Sequence, residues 1–175
     1  LGMKIFRVER VPTHGGSIRV LMKLKTGKLR IESNVSNLIR QEKNWGLDKL
    51  MIYRQLARRI KQNKQSLRKL LLKLKRQKKT VVGFGAPAKG NTLLNYFGID
   101  HKILDYIVDD SPYKQGLYTP GTHIKVVGTE EMYKKRPDYV LILAWNFAES
   151  IMKAHEKFKE LGGKFIIPVP KLKLV

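Results

Sequence analysis

Two stretches of this sequence hold residues whose types and spacing could do chemistry. The first is Gly83-Phe84-Gly85-Ala86-Pro87-Ala88-Lys89-Gly90, which follows the β-branched run Thr80-Val81-Val82 and leads into an apolar segment of helix length that stops at Gly98. In Gly83-x-Gly85-x-x-Ala88 the two glycines and the small third residue match a dinucleotide-binding fingerprint. The first glycine makes a tight turn and the second lets a pyrophosphate approach the backbone. A second apolar run, 103–108, ends on Asp109-Asp110, which puts Asp109 where a ribose-binding acid belongs. Read by itself, this unit points to NAD. Pro87 removes an amide that could face phosphate, and Lys89 adds a cation better suited to a single anionic or phosphate-bearing ligand. Glycine turns also tighten many sheets that bind nothing.

The second stretch is Val11-Pro12-Thr13-His14-Gly15-Gly16-Ser17. Two adjacent glycines permit positive φ, which swings His14 and Ser17 away from their flanking strands. A histidine on such a turn, braced by Pro12, is placed as a general base would be, or it is an ordinary exposed turn residue.

Elements that would position these residues follow from periodicity. Residues 3–10 and 18–24 alternate apolar and polar, as two half-buried antiparallel strands do. From residue 47 the pattern turns helical, with Leu56, Ile60, Asn63, Leu67, Leu70 and Leu74 in one stripe and cations on the other faces. A single long basic helix over 47–77 is expected. From residue 80 onward β and α patterns alternate, which predicts an α/β fold: a Rossmann-like parallel sheet with flanking helices. Right-handed crossovers place the carboxyl ends of the strands on one rim. That rim would collect 83–90, the long polar loop 109–121 with Lys114 and Tyr118, and Trp145-Asn146 at the end of strand 139–143. The expected division is a hairpin over 1–33, a connecting long helix over 34–79, and the sheet domain over 80–175.

The formal net charge is +22, and residues 36–79 hold 15 Lys and Arg against two acids. Lysine-rich surfaces have several physical causes, and the helix lacks the aromatic interleaving or the motif of a nucleic-acid reader. Nucleic acid is therefore not the expected partner, although a basic nucleic-acid-binding protein is the third reading of the chain. No apolar run approaches a membrane span or a secretory signal. The sequence contains no cysteine, which leaves neither disulfides nor thiolate metal sites, and no metal is expected. A cytoplasmic location is the expectation. The sequence opens Leu1-Gly2-Met3, already in a strand-like pattern by Lys4, as a piece of a longer protein would.

At this point the residues carry a resemblance. GFGAPAKGNTLLNYFGI, DDSPYKQGLYTPGTHI and LILAWNFAESI, in that order and spacing, resemble the C-terminal domain of sugar C-methyltransferases, enzymes that use S-adenosylmethionine to methylate a carbon of nucleotide-linked keto-deoxysugars. VERVPTHGGSIRV resembles the segment that closes the preceding S-adenosylmethionine-binding domain of that family. The resemblance covers essentially the whole chain. It implies that a zinc module and an S-adenosylmethionine domain precede this region in the parent enzyme, and that this chain alone binds that cofactor poorly and is inactive. It also implies that a base removes the proton beside a ketone, so that the resulting enolate attacks the cofactor's methyl group. His14 is the candidate base. Lys89, Asn91, Asp109, Lys114, Tyr118, Trp145 and Asn146 are candidates for holding the nucleotide-sugar, with Gly83, Gly85, Ala88 and Gly90 forming a phosphate-side turn. A stand-alone dinucleotide- or coenzyme A-type module is the alternative reading.

Overall fold

The computed structural model describes residues 2–175, and the chain divides into two compact units at residues 59 and 60. In the first unit, β1 (Met3–Val11) and β2 (Ser17–Leu24) pair antiparallel, Met3 opposite Leu24 and Val11 opposite Ser17, with a register shift between Ile5 and Arg7. A short 3-10 turn, Thr13–Gly15, joins them. Helix α1 (Ser33–Asn44) follows. It begins beside β1, where the Arg7 guanidinium meets Glu32 at 2.5 Å and the Val8 amide donates to Asn34 Oδ1 at 3.3 Å.

Helix α2 (Leu50–Arg76) runs 27 residues and passes from the first unit into the second. Residues 34–79 thus hold two helices where one was expected. A turn with Gly46 at φ 74° separates them, because a left-handed residue ends one helical run before the next can start. The apolar stripe is also only partly used. Leu67, Leu71 and Leu74 are buried, whereas Leu56 and Ile60 remain 53% and 40% exposed. Burial begins where α2 joins the core of the second unit, so the same periodicity has different outcomes at its two ends.

The second unit is a six-stranded sheet with helices on both faces. In chain order it contains β3 (Val81–Phe84), α3 (Ala88–Phe97), β4 (Ile107–Val108), β5 (Val126–Val127), α4 (Glu130–Lys135), β6 (Tyr139–Ile142), α5 (Ala148–Ala154), α6 (Glu156–Glu160), β7 (Lys164–Ile167) and β8 (Lys173–Leu174). The strand order is β5-β4-β3-β6-β7-β8. All neighbours run parallel except β8, which pairs antiparallel with β7. The strands read as continuous apolar runs because both faces are covered. Successive residues enter opposite cores. Val81 and Leu141 face Leu67, Leu71 and Leu94 from α2 and α3, whereas Val82 and Val140 face Met132 and Phe158 from α4 and α6.

Two details fix the helices around the later site. The carboxyl end of α3 closes at Gly98 in the left-handed region, and its last carbonyls accept from Lys64 and Arg68 of α2, which favours cations there. Helices α5 and α6 are separated at His155, whose backbone leaves helical values at φ −117° and ψ 35°. The His155 ring packs on Phe84 at 4.8 Å between centroids and its Nδ1 meets the Tyr133 hydroxyl at 2.7 Å.

Gly83 lies in the middle of the sheet, in register with Ile107 and Leu141. A Cβ built there would come within 2.7 Å of Ile107 Cγ1 and 3.1 Å of Leu143 Cδ1. Gly83→Ala is therefore expected to cost about 1–3 kcal/mol by overpacking. Urea melts check this, and an unchanged midpoint would show that the sheet has slack at that point.

Candidate functional site

The carboxyl ends of β3, β4 and β6 form one rim, and the strand order turns back between β3 and β6. After β3 the chain makes a sharp turn. Gly85 adopts φ +83°, a conformation that costs an L-residue roughly 1–2 kcal/mol. The turn directs the Ala86 amide to Asp109 Oδ2 at 2.7 Å while the Gly85 amide donates to the Val108 carbonyl at 2.7 Å. Helix α3 then starts close against the sheet. The residue permitting this approach is Gly90, where a Cβ would meet Leu143 Cβ at 3.1 Å and the Pro87 ring at 3.2 Å. Ala88, the third residue of the fingerprint, is exposed.

Asp109 is buried, and its carboxylate accepts three hydrogen bonds: from the Ala86 amide, from the Ser111 amide at 2.9 Å, and from the Lys114 ammonium at 3.0 Å. Burial alone would push its pKa up. The two amides and Lys114 outweigh that and hold it below the ordinary aspartate range. Gln115 adds a bond to the Asp109 carbonyl at 3.0 Å. Asp109 and Lys114 thus fasten the β3 turn to the loop after β4. Farther along that loop, Thr119 and Thr122 are buried and share a 2.7 Å hydrogen bond, while Tyr118 is 59% exposed and bridges to Lys125.

A second group joins α3 to the turn after β6. The Lys89 ammonium donates to Asn146 Oδ1, and it lies 5.3 Å from the centroid of the Trp145 ring and 5.5 Å from that of Phe147. Asn146 Nδ2 and Asn91 Oδ1 are buried polar atoms without a hydrogen-bond partner, an arrangement that native interiors keep rare. Trp145, Asn146 and Phe147, with Ser150, Lys171 and Lys173, also line a groove of about 340 Å³ beside β6 and β7. Sequence reasoning missed Phe147; its signal was an aromatic pair two residues apart around Asn146.

The structure therefore brings Lys89, Trp145 and Asn146 together, and pairs Asp109 with Lys114 at the neighbouring loop. His14 belongs to the other unit. It is exposed and sits at φ 55° and ψ 27°, inside a turn closed by Gly16 donating to the Thr13 carbonyl at 3.0 Å and Ser17 Oγ donating to the same oxygen at 3.1 Å. Among the described residues no group of three His, Cys, Asp or Glu could hold a metal ion. No described helix is long and apolar enough to cross a membrane.

Because the Asp109 pKa is lowered on folding, its contribution to stability is present above the unfolded value near 4 and is lost as pH falls through the folded one. Asp109→Asn should thus destabilise the chain by about 1–3 kcal/mol at pH 7. The gap to the parent should narrow as pH drops below about 4. Denaturant melts across pH check this, and a pH-independent gap would contradict it.

The family described as C-methyltransferase C-terminal domain matches residues 12–170 of this chain. C-methyltransferase NovU of Streptomyces niveus is 32% identical over 174 residues, which is 99% of this chain and 41% of that protein. The chain thus spans about two fifths of the length of the curated relative it matches. A match over nearly the whole chain, including the glycine turn, the loop after β4 and the Trp145-Asn146 turn, places it in a family: the chain belongs to the C-methyltransferase C-terminal domain family.

Proposed function

We propose that this chain is the Rossmann-like, substrate-side part of a cytoplasmic, S-adenosylmethionine-dependent C-methyltransferase acting on a nucleotide-linked keto-deoxysugar. The observation that carries the reading is the Lys89 group. A cation stands where the strand order turns back, which is where open α/β sheets bind ligands. Aromatic faces lie beside it, and a buried donor and a buried acceptor in the same two elements lack partners. An anionic ligand carrying a heteroaromatic ring and hydroxyls suits that combination: Lys89 for phosphate, Trp145 and Phe147 for the ring, and Asn91 for a polar contact, with Asn146 at the Lys89 ammonium.

The commitments of Asp109 weigh against the cofactor at this rim. A ribose-binding acid must offer its carboxylate to the ribose hydroxyls, and three of the roughly four acceptor sites of Asp109 already serve Ala86, Ser111 and Lys114. The same commitment weighs against a stand-alone dinucleotide module. S-adenosylmethionine would supply the methyl group from another part of the enzyme, in keeping with a relative more than twice this chain's length; a zinc module would belong to that same part.

This chain would contribute the hold on the nucleotide-sugar and, through His14, the base that takes the proton beside the ketone. The left-handed backbone at His14 supports that role, since it is uncommon for a residue with a Cβ, costs of order 1 kcal/mol and persists only where the surroundings impose it. In calorimetric titration with a thymidine-diphosphate sugar, Lys89→Ala should weaken binding about tenfold or more, the scale of a charge-assisted phosphate contact. Unchanged affinity would refute the site. In the complete enzyme, His14→Ala should lower turnover about a hundredfold or more with little change in KM. Near-normal turnover would remove His14 as the base.

A further inference from the structure

We infer that Asn146 is a positioning residue that presets the Lys89 ammonium, with the Trp145 and Phe147 rings, before any anion arrives; this rests on the anion-site reading above. Several other lysines of the second unit end on carboxylates. Lys75 meets Asp105 at 2.7 Å, Lys79 meets Asp138 at 2.8 Å and Lys114 meets Asp109 at 3.0 Å. Each of those contacts neutralises its cation and serves as a fastener. Lys64 meets a carbonyl and the Tyr96 ring, and there the negative end of α3 answers its charge.

Lys89 differs from all of these. It stands in the first turn of α3, the positive end of that helix, where its ammonium meets an amide oxygen and two aromatic rings. Such groups orient an ammonium without cancelling its charge. A fastening role would be served far better by a carboxylate at 146, so this arrangement keeps a fixed cation available for an anion.

All three restraints come from consecutive residues, 145–147, of a single turn after β6. A lysine stem carries considerable rotamer freedom, and ordering it during folding removes that cost from the binding step. Asn146 thus acts on the ligand through Lys89, and its own unpartnered Nδ2 lies buried behind the contact.

A double-mutant cycle on the full 175-residue chain tests this, with thymidine diphosphate as the calorimetric probe. Asn146→Ala should weaken binding roughly three- to tenfold, the cost of one freed side chain. In the Lys89→Ala background the same change should have almost no effect. A merely structural Asn146 would show in the melting temperature and not in that coupling. If the parent chain binds the probe and Asn146→Ala binds equally well, positioning is overturned while the anion site stands. If Asn146→Ala weakens binding by the same factor in both backgrounds, Asn146 touches the ligand directly and positioning is again overturned. If the parent chain does not bind the probe, the anion site falls and positioning with it.

Discussion

A lysine at the start of one helix reaches an asparagine after a neighbouring strand only if that helix begins tight against the sheet. In this chain glycines set that distance. Gly83 lets β3 lie between β4 and β6 with Ile107 and Leu143 filling the space a Cβ would need. Gly90 lets α3 approach Leu143 at the end of β6. Gly85 supplies the positive φ that turns the chain between them. Everything on the rim follows from this approach: the Ala86 amide meets Asp109, and Lys89 meets Asn146.

The rim separates two electrostatic tasks. Asp109 is a fastener whose charge is spent inside the protein, with two backbone amides and one ammonium around it and a lowered pKa as the result. Lys89 is held by groups that leave its charge in place. The two lie on either side of the same turn, so the rigidity that Asp109 gives the β3–α3 connection also sets where Lys89 can stand. Removing the fastener would therefore disturb the neighbouring cation, although the two share no direct contact.

Alternation of apolar runs made the parallel sheet legible in the sequence, because fully covered strands leave little else to read. The glycine turn, the loop after β4 and Trp145-Asn146 could be assigned to one rim from crossover handedness alone. Tertiary choices could not be read in this way. The fingerprint's small third residue, Ala88, is exposed, whereas Gly90 makes the close helix–strand approach. The stripe on α2 could not say which leucines find a core, and Leu56 and Ile60 do not. The break at His155 depends on a ring fitting between Phe84 and Tyr133, which no local pattern encodes. Asp109 was visible as an acid at a strand end, but the groups that consume its charge come from two separate segments.

Membership in the C-methyltransferase C-terminal domain family gives this rim its context, and the chain's own geometry supports the central proposal, that the Lys89–Trp145–Asn146 group holds the anionic, nucleotide end of a substrate. The chain has two tryptophans, Trp145 on the rim and Trp45 in the first unit. Nuclear magnetic resonance of the 15N-labelled chain titrated with thymidine diphosphate measures both indoles at once. The account predicts that the Trp145 indole and the amides of 86, 88–91 and 145–147 shift with a single affinity while the Trp45 indole stays in place. Shifts confined to α2 or to the hairpin, with Trp145 unmoved, would contradict it.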